Sequence, residues 1–263
     1  MNEVELTPPE QWIDLNERQN FALKETAVRL WDKNWMQIEE YLRHDNRVVV
    51  PIGSTEQHGY LSLGTDALLA ERVSIEAAEP LGVPVLPVIP FGMAPYFTSY
   101  PGSMSLRLST YIELLRDVLN CLEGQGFRRI AVINGHGGNI PIGGLFREWI
   151  CQPRAEEVQV LFHSWYNGPQ TVVAANEFHA DQMHGAWVEN FPWTRIEGAD
   201  APPPKPVVAR ELLMNLGPEA IRELAPDGAM GGPYEAPDEI MDKVWAAGVQ
   251  EVRTIIESGW VQH

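Results

Sequence analysis

The chain has 263 residues, 44% of them hydrophobic and 21% charged, with 36 acidic against 19 basic side chains and a formal net charge of −17. That length suits one α/β domain with a sizeable core, and the acidity argues against nucleic acid or an anionic membrane surface as partner. Two cysteines, Cys121 and Cys151, are too few for a secreted disulfide framework; they are expected to be buried fillers in a reduced compartment.

The opening MNEVELTPPEQW lacks the basic start and apolar stretch of a signal peptide. No apolar run approaches the ~18–20 residues that span a bilayer. The expectation is a cytoplasmic protein. Residues 1–25 read as an N-terminal extension, with Trp12, Phe21 and Leu23 as a short apolar patch, and residues 26–263 as a single domain.

From Asn34, Trp35, Ile38, Tyr41 and Leu42 recur at helical spacing, and RVVVPIG then gives a short β-branched run. DALLAERVSIEAAEPLG reads as a helix, with Asp66 near its start and Gly82 past its end, followed by VPVLPVIPF as a second buried strand. LSTYIELLRDVLNCLEGQG, FRRIAVIN, NIPIGGLFREWIC and VQVLFHSW continue as helix, strand, helix and strand. Strands alternating with helices predict a mostly parallel sheet covered on both faces. After Trp165 the pattern weakens to a helix around HGAWVENF, an extended connector ADAPPPKPVV and a helix over 237–258.

In an open α/β sheet, ligands bind beyond the carboxyl ends of the strands. The loop after RVVV offers Glu56, His58 and Asp66 within eleven residues. Residues two apart in an extended segment leave the same side, about 6–7 Å apart at Cα, so Glu56 and His58 can reach one centre. Two carboxylates and an imidazole form a nitrogen and oxygen set that suits Zn, Mn or Fe(II). The loop after FRRIAVI presents His136 among glycines ahead of a helix, whose N-terminus could hold a developing oxyanion. NGHGGN matches neither the Walker nor the GxGxxG pattern. A third cluster offers His179, Asp181, His184 and Glu189; on a helix, His184 and Glu189 would be rotated apart by about 140°.

Each feature also has a plainer reading. Carboxylates and a histidine in one loop are common as solvated turn residues, but four such groups in two strand-terminal loops favour a shared centre. His44, His163 and His263 are assigned no functional role. Most of the nine tryptophans read as core or interface, although Trp165 and Trp187 lie near the expected site.

Together, VPIGSTEQHG, LGTD, INGHGGN and HGAWVEN resemble, in order and interval, the signature segments of the creatininase family of metal-dependent amidohydrolases, over roughly residues 30 to 255. The resemblance implies an α/β three-layer sandwich with a mostly parallel central sheet, assembled into homo-oligomers, with a hexamer favoured. It implies two divalent ions per subunit (Zn, Mn or Fe), one held by Glu56, Asp66 and His136 and the second by His58 and bridging Asp66, completed by Glu189. His184 aligns with a proton-handling histidine, and Trp165 with a pocket tryptophan. Ser99, Tyr100 and Ser103 fall in a segment that borders the pocket, which makes them expected substrate contacts. The implied reaction is hydrolysis of a carbon–nitrogen bond in a small amide, cyclic amide or formamide through a metal-bridging hydroxide. His184 and Glu189 are the catalytic candidates. The competing expectation is a non-catalytic, metal-stabilised oligomeric binding protein.

The segment also departs from the family pattern. EQHGYLSLGTD is one residue shorter than the usual form and lacks its second histidine. Gly138 stands where creatininase proper has a metal-binding glutamate, and Met183 where it has a glutamate beside the proton-handling histidine. These differences point away from creatinine and toward other amides.

Overall fold

The computed structural model describes residues 28–154, 157–200, 202–209, 212 and 215–261. The N-terminal extension, with Trp12, Phe21 and Leu23, lies outside the described residues, as does His263.

Three parallel strands form the sheet in the order β1 (Arg47–Ile52), β2 (Arg129–Asn134) and β3 (Gln159–Ser164). Val50 pairs with Val132 and Val132 with Phe162, so the three strands end level with one another. The segment expected as a further strand, 83–91, is not a regular one. It runs alongside β1 through the bridges Val49 to Val85 and Ile52 to Ile89. Pro84, Pro87 and Pro90 remove an N–H at every third position, which breaks a regular ladder.

Period-two alternation sends the strands' side chains to opposite faces. Val48, Val50, Ile52, Ile130 and Val132 pack with Tyr111, Leu115 and Leu119 of α3 (Leu108–Gln125) and with Leu145, Phe146 and Trp149 of α4 (Gly143–Ile150). Ala131, Ile133 and Val49 face the other way, against Leu69 and Val73 of α2 (Thr65–Ala78) and Val244, Val249 and Val252 of α7 (Asp238–Ser258). Helices on both faces of a parallel sheet make the three-layer α/β arrangement. A smaller cluster of Phe97, Tyr100, Met183, Ala186 and Met230, with Ile221 of α6 (Pro218–Leu224), lies apart from both.

Helix α1 (Trp35–Leu42) starts at Asn34, whose side chain accepts from the Gln37 N–H while the Gln37 side chain accepts from the Asn34 N–H. The reciprocal bonds satisfy two otherwise orphaned donors. Helix α5 (Pro169–Asn176) begins on Glu251 of α7, which accepts from the Gln170 N–H, the Thr171 N–H and the Thr171 hydroxyl at 2.8, 3.1 and 2.6 Å.

Two expectations are corrected. Both cysteines are exposed: Cys121 stands beside, not within, the stripe of Tyr111, Leu115, Leu119 and Leu122 that α3 buries. The helix expected around HGAWVENF is a single 3₁₀ turn, Trp187–Glu189. Gly185 enters it at φ 65°, a left-handed backbone that no helix continues through. Here the chain passes so close to the His58 backbone that a Cβ on Gly185 would lie 3.1 Å from the His58 carbonyl carbon.

Candidate functional site

Every group singled out beyond the strand ends is carried by the level C-terminal edge of the sheet. Glu56 and His58 follow β1, Asp66 sits in the first turn of α2, and His136 follows β2 by two residues. His184 and Glu189 arrive from the segment after α5, held by Met230 N donating to His184 O at 2.9 Å and Glu189 N donating to Ala186 O at 3.1 Å.

These six side chains converge. Asp66 Oδ1 lies 3.1 Å from His58 Nε2, and Oδ2 lies 2.7 Å from His136 Nδ1. Glu56 Oε1 lies 3.1 Å from His136 Nδ1 and 3.7 Å from His184 Nδ1, and Glu189 Oε2 lies 3.8 Å from His58 Nε2. Candidate ligand atoms group as Glu56–Asp66–His136, His58–Asp66–Glu189 and Glu56–His58–His184, within 4.8 Å of one another in each. The first two share Asp66, one oxygen to each side.

Each imidazole commits one nitrogen to a main-chain carbonyl: His58 Nδ1 to Glu56 O at 3.0 Å, His136 Nε2 to Met93 O at 2.9 Å, and His184 Nε2 to Gln57 O at 2.7 Å. A carbonyl only accepts, so those nitrogens carry hydrogen, and the opposite nitrogens turn toward the carboxylates, where a cation can displace any proton they hold. That is how a protein fixes the tautomer of a metal-ligating histidine. Ser54 Oγ donates to Asp66 Oδ2 at 2.8 Å. Asn134 Oδ1 accepts from the His136 N–H at 3.1 Å, and Asn139 ties Asn134, Gly53 O and the Met93 N–H together.

The site is largely buried, so its charges are strongly felt. Burial pushes the Glu56 carboxyl above its ordinary range, with His136 pulling the other way. Burial also opposes ionisation of Asp66, but His58 and His136 outweigh it and hold that carboxyl well below the usual range. Glu189 is pushed up to about 7 by burial, against the pull of His58. Burial disfavours charge on His58 as well, yet Asp66 and Glu189 raise it to about 10. His136 rises well above its ordinary value for the same reason, through Glu56 and Asp66. His184 is driven well below it by burial and by neighbouring His58. Three carboxylates in a water-poor pocket therefore call for positive charge. Among the described residues Glu56 Oε2 is buried without a hydrogen-bond partner, which is costly for a carboxylate oxygen unless a cation meets it. The donor set and this orphaned oxygen fit divalent metal ions.

A cavity of about 330 Å³ opens onto the cluster, walled by Tyr96, Phe97, Ile140, Trp165, Tyr166 and Met183. Trp165 lies at its edge but is packed against Trp245 and Phe191. Phe97 stacks on His184, which also touches the His58 ring. The structure places Ser99 and Tyr100 outside this cavity. Tyr100 donates its hydroxyl to Ala225 O at 2.7 Å, and Ser99 borders a separate hollow with Glu219, Arg222 and Glu223. Ser103 accepts from the Gln57 N–H at 2.9 Å and so braces the loop between Glu56 and His58. His179 and Asp181 stay on the surface, and Trp187 is buried against Phe178. The helix expected just after His136 is first a 3₁₀ turn, Gly137–Ile142, and α4 begins only at Gly143.

Tyr96, Phe97, Tyr166, Asn167 and Gln182 line the cavity without having been singled out in the sequence. Tyr166 and Asn167 had a signal, since they follow β3 as the ligand loops follow β1 and β2. Tyr96 and Phe97 lie in the same pocket-bordering segment as Ser99 and Tyr100, and Gln182 lies between Asp181 and His184, so the signal marked their segments but not these side chains.

Comparison with known proteins adds an independent line. A family model described as "Creatininase: Creatinine amidohydrolase" matches residues 31–256. The chain is 27% identical over 252 residues to a 3-dehydro-scyllo-inosose hydrolase of Thermotoga maritima, spanning 89% of this chain and 80% of that protein. It is 36% identical over 100 residues to a mycofactocin precursor peptide peptidase of Mycolicibacterium smegmatis, spanning 35% of this chain and 40% of that protein. Among solved structures, one named "Creatininase Mn" superposes with a TM-score of 0.71 at 22% identity, over 89% of this chain and 99% of that one. The last likeness shows a shared fold.

Proposed function

The chain belongs to the creatininase family, and from that premise we propose that this metal-dependent hydrolase is a dinuclear amidohydrolase acting on non-peptide carbon–nitrogen bonds. The observation that carries the reading is the sharing of Asp66 between two ligand groups, beside a buried Glu56 oxygen that no described residue satisfies. Glu56, Asp66 and His136 would hold one ion, and His58, Asp66 and Glu189 the other. Zn and Mn suit this nitrogen and oxygen set, and a manganese-named creatininase shares the fold.

Two divalent ions held there would lower the pKa of a water toward neutrality and polarise the scissile carbonyl. The remaining work falls to this chain's own groups. His184 lines the cavity with Nε2 pinned to Gln57 O, which leaves unprotonated Nδ1 to take the proton given up by the attacking water and pass it to the departing nitrogen; an amide does not cleave unless that nitrogen leaves neutral. The Phe97 stack holds the ring in that orientation. Tyr96, Tyr166 and Trp165 bound the substrate and restrict water. A cavity reaching the carboxylates favours catalysis over a closed structural metal site.

The family resemblance supports a homo-oligomer, with a hexamer as the expected assembly, to be measured by light scattering. Among the described residues, no helix is long and apolar enough to cross a membrane; the scarcity of cysteine supports a cytoplasmic location.

The test is a screen of the chelated protein reloaded with Zn or Mn against cyclic ureides, lactams, formamides and short peptides, following amine and carboxylate release. Turnover of a small amide is expected only in reloaded samples. Turnover of peptides alone, or activity indifferent to chelation, would overturn the reading.

A further inference from the structure

The turn Pro95–Phe97 brings two aromatic rings to the cavity, edge to face with centroids 4.7 Å apart. Phe97 lies on His184. Tyr96 reaches the glycines that follow His136: a Cβ on Gly138 would lie 2.7 Å from the Tyr96 hydroxyl, and one on Gly137 would lie 3.7 Å from that of Tyr166. Both glycines line the cavity, and the same Cβ on Gly138 would collide with His136 Nε2. The missing side chain at 138 is therefore what lets the Tyr96 hydroxyl stand beside the ligand group Glu56, Asp66 and His136. Burial, and then the charges of Glu56 and Asp66, raise the Tyr96 pKa, so the phenol keeps its proton and is a donor. Such a donor gains little from a neutral carbonyl in place of water, and far more from one on which negative charge develops in a buried site.

We propose that Tyr96 is a catalytic residue whose hydroxyl donates to the oxygen of the scissile carbonyl and holds it as negative charge builds there. The inference rests on the amide-hydrolysis reading above. As the oxygen of water bonds to the carbonyl carbon, the π pair moves to the carbonyl oxygen, which accepts from the Tyr96 O–H while that proton stays on the phenol. When the carbon–nitrogen bond breaks, the pair returns to carbon, and the bonding electrons leave on nitrogen, which takes its proton from His184. One short turn thus supplies the donor for the oxygen and, through Phe97, the brace for the proton carrier.

Tyr96→Phe removes the hydroxyl and little else. The Zn- or Mn-loaded full chain and this variant are compared for metal content, for kcat and KM on the amide found by the screen, and for acetohydroxamate binding by calorimetry. Acetohydroxamate chelates divalent ions and sets a charged oxygen beside them, so it reads the donor without turnover. The variant's kcat should fall about a hundredfold, the scale for losing one such donor, with KM and metal content unchanged. Acetohydroxamate should bind it about tenfold more weakly, the scale of one charge-assisted hydrogen bond. Unchanged kcat, or unchanged acetohydroxamate binding, would overturn the inference. So would loss of metal, or a raised KM with kcat intact, since the hydroxyl would then be structural or a ground-state contact. A wild type that turns over no amide would count against the amidohydrolase reading, while weaker acetohydroxamate binding by the variant would still support a donor at Tyr96. A loaded wild type that neither turns over an amide nor binds acetohydroxamate would overturn both.

Discussion

The ring of Phe97 lies on that of His184, centroids 4.5 Å apart and planes 24° from parallel. An imidazole stacked on one side and bonded through Nε2 to Gln57 O has a single orientation in which Nδ1 faces Glu56.

Phe97→Leu keeps most of the side-chain volume and should cost less than about 1.5 kcal/mol of stability. It removes the flat face, so kcat for the amide identified by the screen should fall about tenfold or more with metal content unchanged. Kinetics paired with metal analysis checks this; unchanged kcat would show that the stack does not position His184.

Asp66 reaches both histidines, whereas Glu189 reaches only the His58 side. Titration of the chelated protein with Zn or Mn should therefore give two ions for the wild type, one for Glu189→Ala, and fewer than one for Asp66→Ala. Equal uptake by Asp66→Ala and wild type would remove the bridge.

His58 is held at about 10 against an ordinary 6.5, and His136 is displaced in the same direction. A raised folded-state pKa contributes stability that is fully present below the unfolded value and lost as pH climbs to the folded one. Glu189, raised from 4.5 to about 7, adds a loss of its own at lower pH, over about 4.5 to 7. The metal-free protein should therefore lose thermal stability between about pH 6.5 and about 10. Metal binding, which replaces those protons with cations, should stabilise increasingly over the same interval. Melting curves with and without chelator test this; a metal-free Tm that rises across the window would contradict it.

A Cβ on Gly138 would collide with Met93 O and His136 Nε2, the two ends of the bond that fixes the His136 ring, and would lie 2.7 Å from the Tyr96 hydroxyl. Gly138→Ala should destabilise by about 1–3 kcal/mol and weaken metal uptake. Denaturant melts and metal titration report the two effects separately.

The three strands and the helices between them were legible because their patterns are clean and the loops after the first two strands carry ligating side chains. Glu56, His58, Asp66 and His136 sit close in sequence to those strand ends, so local spacing was enough to suggest a common centre. Spacing misled where backbone chemistry overrode it. The prolines of 83–90 broke a hydrophobic run that read as a strand, and Gly185 turned HGAWVENF out of a helix. In the extended path His184 and Glu189 both reach the cluster, which the helical rotation had argued against. Ser99 and Tyr100 do not line the cavity, since adjacency to a pocket segment says nothing of side-chain direction; Tyr100 turns to the end of α6.

The broken strand has a bearing on solubility. Bare peptide edges invite neighbouring molecules to dock by backbone pairing, the route to fibrous aggregates, and proline at an edge is a known deterrent. With Pro84, Pro87 and Pro90 spaced along 83–90, and with Val28 and Leu30 paired to Val85 on its outer side, this rim presents few free amide hydrogens to an intruding chain. Copies that associate on that side must do so through side chains, where shape and charge decide the fit.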